Sequence, residues 1–146
     1  MTEAEASAEP ELAAPTSVLD ASALLAVLHD EAGASAVVEA IARGAAVSVV
    51  NLAETLSKLA DAGKDPVEAN AELREAEGDH RALRIEPLSE ADCIEVARLR
   101  PLTRALGLSL ADRACLALAN RLDVPALTAD GSWANAEVDA EVRLIR

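Results

Sequence analysis

The sequence predicts an α/β domain with a mainly parallel central sheet. Short apolar or β-branched runs alternate with longer helical segments, and each run is bounded by turn residues. Strands that alternate with helices favour a parallel sheet, because a helix makes each crossover between parallel strands. The length of 146 residues suits one domain, and a hydrophobic fraction of 51% is enough to fill its core.

The first half of the chain contains two predicted strands and four predicted helices. Residues 1–16 are acidic and rich in Ala and Pro, so we predict a disordered tail and a folded domain over 17–146. "SVLD" is the first strand and "ASALLAVLH" a helix; "EAGASAVVEAIARG" is a helix that ends at Gly44, and "AAVSVV" is the second strand. "NLAETLSKLADAG" is expected to begin with Asn51 as N-cap. "DPVEANAELREAEG" begins with Asp65 as N-cap and proline in the first turn.

The second half continues the alternation. "RALRIEPL" contains the third strand, and "SEADCIEVARLR" is a helix that begins at Ser89 and that Pro101 is expected to end. "SLADRACLALANRL" is the last long helix, followed by the strand "VPALTAD" and a final strand near "EVRLIR". In such sheets the functional site lies beyond the carboxyl ends of the strands.

Composition excludes several classes of protein. A net charge of −13 argues against a broad basic surface for nucleic acid, and a single Trp with no Phe or Tyr argues against base-stacking modules. Cys93 and Cys115 lack metal-site spacing and are predicted to be buried thiols, whereas His29 and His80 are predicted to lie on the surface. Because no signal peptide or apolar span is recognisable, we expect a cytoplasmic protein without membrane contact.

Four acids occupy positions from which they can converge on one edge of the sheet. Asp20 and Asp130 directly follow predicted strands, and Glu54 and Asp112 are each placed in the first turn of a helix. Oxygen-only ligands favour Mg²⁺ or Mn²⁺ over zinc, and a divalent cation would relieve the repulsion between clustered carboxylates. The four acids are therefore candidate metal ligands.

Each acid also has a purely structural explanation. Asp20 suits an N-cap and Asp130 a turn, while Glu54 and Asp112 fit the third position of capping boxes that begin at the residues three places earlier. Helical phase separates the last two. Asp112 shares its face with apolar residues, where a buried carboxylate needs a partner, whereas Glu54 shares a polar face with Lys58 and suits an i,i+4 ion pair.

A locally basic stretch lies next to Asp112. "ARLRPLTRALGLSLADR" carries four arginines, which can hold phosphates beside a metal or simply form a solvated helix face. These residues are Arg98, Arg100, Arg104 and Arg113.

With these residues the chain resembles the PIN domain family, specifically the VapC-type toxins of bacterial toxin–antitoxin modules. The resemblance covers residues 17–146 and rests on "VLDASALLAVL", "VSVVNLAETLSKL", "LGLSLADRACLALA" and "PALTAD", in that order and spacing. It implies a three-layer α/β/α fold with a mainly parallel sheet. It also implies a Mg²⁺-dependent endoribonuclease, with Mn²⁺ as another suitable ion, that hydrolyses RNA phosphodiesters with a metal-activated water.

The resemblance assigns roles to residues whose function helical phase alone does not decide. It makes all four acids metal-binding and catalytic, Glu54 included, and it gives Arg113 a role in phosphate binding or structural pairing. Weaker candidates are Arg104 and Arg100 for RNA, and Thr128, Asn51 and Ser48 for support around the pocket. It further implies a homodimer and a cognate antitoxin that blocks the acidic pocket.

Two other hypotheses compete with that of a ribonuclease toxin. The first is a PIN-like protein that keeps the fold but does not cleave, and acts through contacts with antitoxin or RNA; divalent-metal binding without turnover would identify it. The second is a phosphoacceptor receiver, which the absence of any Lys after Lys64 disfavours.

Overall fold

A computed structural model describes residues 14–78 and 82–146. Most of the predicted acidic tail, and His80, lie outside the described residues. Within them, five parallel strands form one sheet in the order β3-β2-β1-β4-β5. These strands are β1 (Ser17–Leu19), β2 (Ala45–Ser48), β3 (Leu83–Glu86), β4 (Ala126–Thr128) and β5 (Val142–Leu144). The predicted parallel α/β sheet is confirmed.

Helices cover both faces of this sheet. They are α1 (Ala21–Leu28), α2 (Ala34–Ala42), α3 (Val49–Asp61), α4 (Pro66–Ala76), α5 (Glu90–Thr103) and α6 (Leu110–Leu122), with short 3₁₀ turns at Arg104–Leu106 and Gly131–Asn135. Neighbouring strand residues enter opposite cores: Val18 packs with α5 and α6, and Leu19 packs with α1, α2 and α4. This alternation is the period-two pattern of a strand buried on both faces. The three-layer α/β/α fold is confirmed.

The start of α3 differs from the sequence prediction. Strand β2 ends at Ser48, whose hydroxyl accepts the Asn51 N–H at 3.0 Å and caps the helix. The prediction of Asn51 as N-cap is therefore wrong, and Glu54 lies in the second turn instead of the first. The β-branched pair Val49–Val50 suggested a longer strand, but the serine cap satisfies the backbone donors of a helix that begins at Val49.

Pro101 lies inside α5 and does not end it, so that prediction is also wrong. The helix runs to Thr103, followed by a 3₁₀ turn and by Gly107, whose φ of 70° is in the left-handed region. Proline removes one backbone donor, and near the carboxyl end of a helix this interrupts little of the hydrogen-bond ladder. The reversal that ends the segment is made by glycine, which adopts positive φ without strain.

Asp92 joins α5 to α6 on the face away from α1. It is buried, its Oδ2 accepts the Ser89 N–H at 3.0 Å, and its Oδ1 accepts the Arg121 Nε–H at 2.9 Å. Desolvation by burial alone would raise the pKa of Asp92, but the hydrogen bonds from Ser89 and Arg121 and the attraction to Arg121 outweigh it. The pKa of Asp92 is therefore lowered.

Asp92→Asn is expected to lower the free energy of unfolding by about 1–2 kcal/mol near neutral pH, because it removes a charge-assisted hydrogen bond. A lowered folded-state pKa gives stability that is present above the unfolded aspartate pKa of about 3.9 and is lost as pH falls through the folded pKa. The difference between wild type and variant should therefore shrink in acid. Urea unfolding over a pH series measures it; a difference independent of pH would contradict the ion pair.

Candidate metal site at the carboxyl edge of the sheet

Three helix N-termini meet at the carboxyl edge of the sheet. Helix α1 begins one residue after β1 with Asp20 as N-cap, and α3 begins directly after β2 with Ser48 as N-cap. Helix α6 leads back to the start of β4, so its own first turn, capped by Ser109, lies at the same edge. The topology thus brings Asp20 and the first turns of α3 and α6 together.

Asp20 is the most enclosed acid of this edge, with only 3% of its surface exposed. Its Oδ1 accepts the Ala23 N–H at 2.8 Å and the Ser22 hydroxyl at 2.7 Å, and its Oδ2 accepts the Thr128 hydroxyl at 2.5 Å. Desolvation by burial raises the pKa of Asp20 despite these hydrogen bonds, and repulsion from Asp112 adds to the rise. The predicted N-cap role is confirmed, and Asp20 also lies near a second acid.

Asp112 is the third residue of α6 and completes a capping box. Its N–H donates to the Ser109 hydroxyl oxygen at 3.1 Å, and its Oδ2 accepts the Ser109 N–H at 2.8 Å. The carboxylate is half-buried, so it borders the edge of the sheet and does not enter the core. The capping explanation is confirmed, and the negative charge of Asp112 lies near enough to help raise the pKa of Asp20.

Glu54 pairs with Lys58 at 3.6 Å, as its helical phase predicted. It nevertheless lies close enough to the buried edge to act on Cys115, which has no exposed surface. Burial raises the pKa of the Cys115 thiol, and the negative charges of Asp20, Asp112 and Glu54 raise it further. All three acids therefore lie within electrostatic range of one buried thiol at the carboxyl edge of the sheet.

Asp130 caps the turn that follows β4. It is exposed, and its Oδ1 accepts the Ser132 N–H at 2.9 Å and the Ser132 hydroxyl at 2.8 Å, which caps the short turn over Gly131–Asn135. The Asp130 N–H donates to the Thr128 hydroxyl oxygen at 3.0 Å, which connects this turn to Asp20 through Thr128. The structural explanation of Asp130 as a turn residue is confirmed.

The three supporting residues suggested by the resemblance all make buried hydrogen bonds at this edge. Thr128 links Asp20 to the segment after β4. The Asn51 side chain accepts the Ser48 hydroxyl at 2.6 Å and donates to the Ala111 carbonyl at 3.0 Å. Asn51 thereby ties α3 to the first turn of α6, and holds the helix that carries Glu54 against the helix that carries Asp112.

Sequence reasoning missed two residues of this region. Ser22 bonds both Asp20 and the backbone after β4, at 2.7 Å and 2.9 Å. Cys115 is buried as predicted and lies within electrostatic range of three acids, whereas Cys93 is exposed, so the prediction of a buried thiol is wrong for Cys93. The spacing of two residues after a strand-end aspartate was a signal for Ser22; the proximity of Cys115 to the acids depends on packing that the sequence does not display.

The arginines divide into buried and exposed. Arg113 is buried and donates from Nη1 to the Val96 carbonyl at 2.9 Å, so it joins α6 to α5. Of the two roles expected for it, the structural one fits this position, and the assignment as an RNA contact does not. Arg100 and Arg104 are exposed, and Arg98 is paired with Glu95 at 2.9 Å.

The carboxylate oxygens at this edge are of the kind that a hard divalent cation prefers. Carboxylate oxygens are the ligands that Mg²⁺ and Mn²⁺ favour, and three carboxylates around one buried region repel each other until a cation is present. Over residues 14–78 and 82–146, no three acids, cysteines or histidines lie close enough to form a ready-made metal cluster. Metal binding would therefore bring the carboxylates closer together than they lie here.

Comparison with known proteins identifies the class to which this fold and edge belong. The PIN domain family matches residues 17–138, so the chain belongs to that family and the predicted resemblance is confirmed. Among curated proteins, none matches the sequence at a significant level. In the described part of the chain, no helix has the length and apolar character needed to cross a bilayer.

Solved structures show the same fold at low sequence identity. VapBC2 from Rickettsia felis, bound to a promoter DNA fragment, has a TM-score of 0.68 at 15% identity and covers 88% of this chain and 97% of its own. A toxin–antitoxin complex from Klebsiella pneumoniae has a TM-score of 0.66 at 18% identity, covering 89% and 98%. VapBC-5 from Mycobacterium tuberculosis has a TM-score of 0.52 at 23% identity, covering 90% and 99%. These matches show that the chain shares its fold with these proteins.

Proposed function

We propose that this protein is a metal-dependent endoribonuclease and the toxin of a toxin–antitoxin module. The observation that carries the proposal is the environment of Asp20, a nearly enclosed carboxylate whose pKa is raised by burial and by Asp112. Burying a carboxylate near another acid lowers stability. Such an arrangement at the carboxyl edge of a parallel sheet therefore indicates a functional role for concentrated negative charge. Membership of the PIN domain family supports hydrolysis of a phosphodiester as that role.

In this proposal Asp20, Asp112 and Glu54 hold Mg²⁺ or Mn²⁺. When bound, the cation supplies a water of lowered pKa and polarises a phosphate oxygen. The protein orients these ligands: Ser22 and Thr128 fix Asp20, and the Ser109 capping box fixes Asp112. Asp130 remains a proposed fourth acid, because both of its described side-chain bonds are on Oδ1 and the ion could be reached through Oδ2.

The same charge explains the proposed partners. A chain with a net charge of −13 attracts a basic segment, and the three acids at the edge of the sheet form the local negative site for it. The structural relatives are VapBC and toxin–antitoxin complexes. We therefore propose a cognate antitoxin that covers this edge, and a toxin that acts on RNA in the cytoplasm as a homodimer.

Titration with Mg²⁺ and with Mn²⁺, followed by calorimetry, tests the metal site directly. The wild-type protein should bind either ion, and Asp112→Asn should bind it at least tenfold more weakly because a charged ligand is lost. A wild-type protein that binds neither ion would reject the proposed activity. Metal binding without cleavage of any RNA would instead support the non-cleaving PIN-like protein, which keeps the acids and acts through contacts.

Arg104→Ala tests whether the exposed arginines contact RNA. Binding, measured in an Asp112→Asn background to prevent cleavage, should weaken severalfold at low salt, and the plot of log affinity against log salt should become shallower by about 0.7. Arg98→Ala is the matched control, because Glu95 already neutralises Arg98. Equal effects of the two substitutions would indicate that Arg104 belongs to a solvated helix face and does not contact RNA.

A further inference from the structure

One hydroxyl joins two distant parts of the chain at the candidate metal site. Ser22, in the first turn of α1, donates to Asp20 Oδ1 at 2.7 Å, and its oxygen accepts the Ala129 N–H at 2.9 Å. Ala129 is the first residue after β4 and lies 107 positions further along the chain. A single side chain therefore connects the carboxylate at the end of β1 to the backbone that leads to Asp130.

Thr128 makes the complementary connection. Its hydroxyl donates to Asp20 Oδ2 at 2.5 Å and accepts the Asp130 N–H at 3.0 Å, and it lies 3.3 Å from the Ser22 hydroxyl. Each oxygen of Asp20 is thus held by a hydroxyl that also holds one backbone N–H of the 129–130 segment. The orientation of the carboxylate and the path of that segment are fixed by the same four hydrogen bonds.

The two oxygens of Asp20 are not equally occupied. Oδ1 accepts two donors, Ser22 and Ala23, whereas the described contact of Oδ2 is the single one from Thr128. A carboxylate offers about four acceptor positions over its two oxygens, so Oδ2 keeps an unused position. Ser22 and Ala23 together occupy Oδ1 and leave Oδ2 as the oxygen that is more available to a further ligand.

We propose that Ser22 is a positioning residue that couples the orientation of Asp20 to the course of the 129–130 segment, and so sets the geometry of the metal site. This inference rests on the proposed function. It assigns Ser22 no contact with the metal, only a role in holding a metal ligand. Hydrogen-bonding groups behind metal ligands orient those ligands and typically contribute about 10–100-fold to metal affinity or activity. Ser22 occupies that position behind Asp20.

Ser22→Ala removes the hydroxyl with little risk to the fold. Alanine favours a helix at least as much as serine, and the Ala23 N–H still caps Asp20 Oδ1. The variant leaves the Ala129 N–H without its acceptor and removes one of the three described hydrogen bonds that hold the Asp20 carboxylate. Ser22→Thr restores a hydroxyl at the same place. Ser57→Ala is the matched control, because the Ser57 hydroxyl is exposed and donates at 2.6 Å to the Ala53 carbonyl of its own helix.

The experiment uses the full chain and three measurements on each variant. They are Mn²⁺ affinity by calorimetry, exchange of the Ala129 amide proton by NMR, and kcat and KM for RNA cleavage. For Ser22→Ala we expect about tenfold weaker Mn²⁺ binding, faster exchange at Ala129 and a lower kcat with little change in KM. Ser22→Thr should recover at least half of the lost affinity on a logarithmic scale, and Ser57→Ala should match the wild type.

Unchanged Mn²⁺ affinity in folded Ser22→Ala would overturn the inference, whatever happens to amide exchange, and would leave the proposed function standing. So would weaker binding that Ser22→Thr fails to recover, because the hydroxyl would then not be the cause. If the wild-type protein binds no Mn²⁺, the proposed function is rejected and the positioning role falls with it. The two failures are therefore distinguished by the wild-type titration.

Discussion

Replacement of Asp112 by asparagine should reduce Mg²⁺-dependent RNA cleavage by more than about 100-fold while the fold is retained, because even residues behind a metal ligand contribute 10–100-fold. Asparagine keeps a side-chain oxygen that can accept the Ser109 N–H, so the capping box of α6 survives the change. What is lost is the charge that faces Asp20 and the candidate cation. Removing that charge also relieves repulsion with Asp20, so the metal-free variant should be at least as stable as the wild type.

Asp92→Asn is the matched control for this substitution. Asp92 holds the equivalent place in the capping box of α5, but its carboxylate pairs with Arg121 instead of facing another acid. The control variant should therefore lose stability and retain cleavage, the opposite of Asp112→Asn. Circular dichroism, urea unfolding and an RNA cleavage assay on both variants separate the two roles. Full activity in folded Asp112→Asn would remove Asp112 from the metal site.

Trp133→Ala should be the most destabilising single substitution considered, at about 3–5 kcal/mol. Trp133 is completely buried in the core cluster formed with α5 and α6, and it is the only aromatic residue of the chain. A loss of this size is a large part of the 5–15 kcal/mol typical of a domain, and should lower Tm by on the order of 10 °C. Trp133 is therefore a packing anchor of the core and not a platform for bases.

Trp133→Phe provides the comparison. It keeps an aromatic ring in the cluster and removes the indole N–H, which has no hydrogen-bond partner among the described residues. Phenylalanine should therefore cost clearly less than alanine in the free energy of unfolding, which differential scanning calorimetry measures without relying on tryptophan fluorescence. A Trp133→Ala variant within 1 kcal/mol of the wild type would show that this core repacks around the cavity.

The fold was predictable because its signals are local. Buried runs such as "SVL" and "ALT" are short and flanked by turn residues, and the helices between them require parallel strands. The errors arose where two local signals compete. At Val49–Val50 strand propensity opposed a serine cap, and at Pro101 a helix-breaking residue stood near a helix end where little hydrogen bonding was left to lose.

The site was predictable only in part. Position at a strand end identified Asp20, and helical phase distinguished Asp112 from Glu54, since these depend on the residue's own element. Asp130 has the same strand-end signal, but its carboxylate accepts a hydrogen bond from Ser132 in the following turn. A sequence pattern cannot distinguish such a turn residue from a metal ligand. The bond from Ala129 to Ser22 depends on β4 lying beside β1 in the sheet, a contact between parts of the chain 107 residues apart.

The central claim is that the acids of the carboxyl edge support RNA hydrolysis. The most direct measurement is the digestion of total cellular RNA by purified, antitoxin-free protein, with Mg²⁺, with EDTA, and with Asp112→Asn as the control for contaminating nuclease. Our account predicts discrete fragments that form with Mg²⁺ and are absent with EDTA and with the variant. Fragments that persist with EDTA or with Asp112→Asn, or intact RNA in every sample, would contradict it.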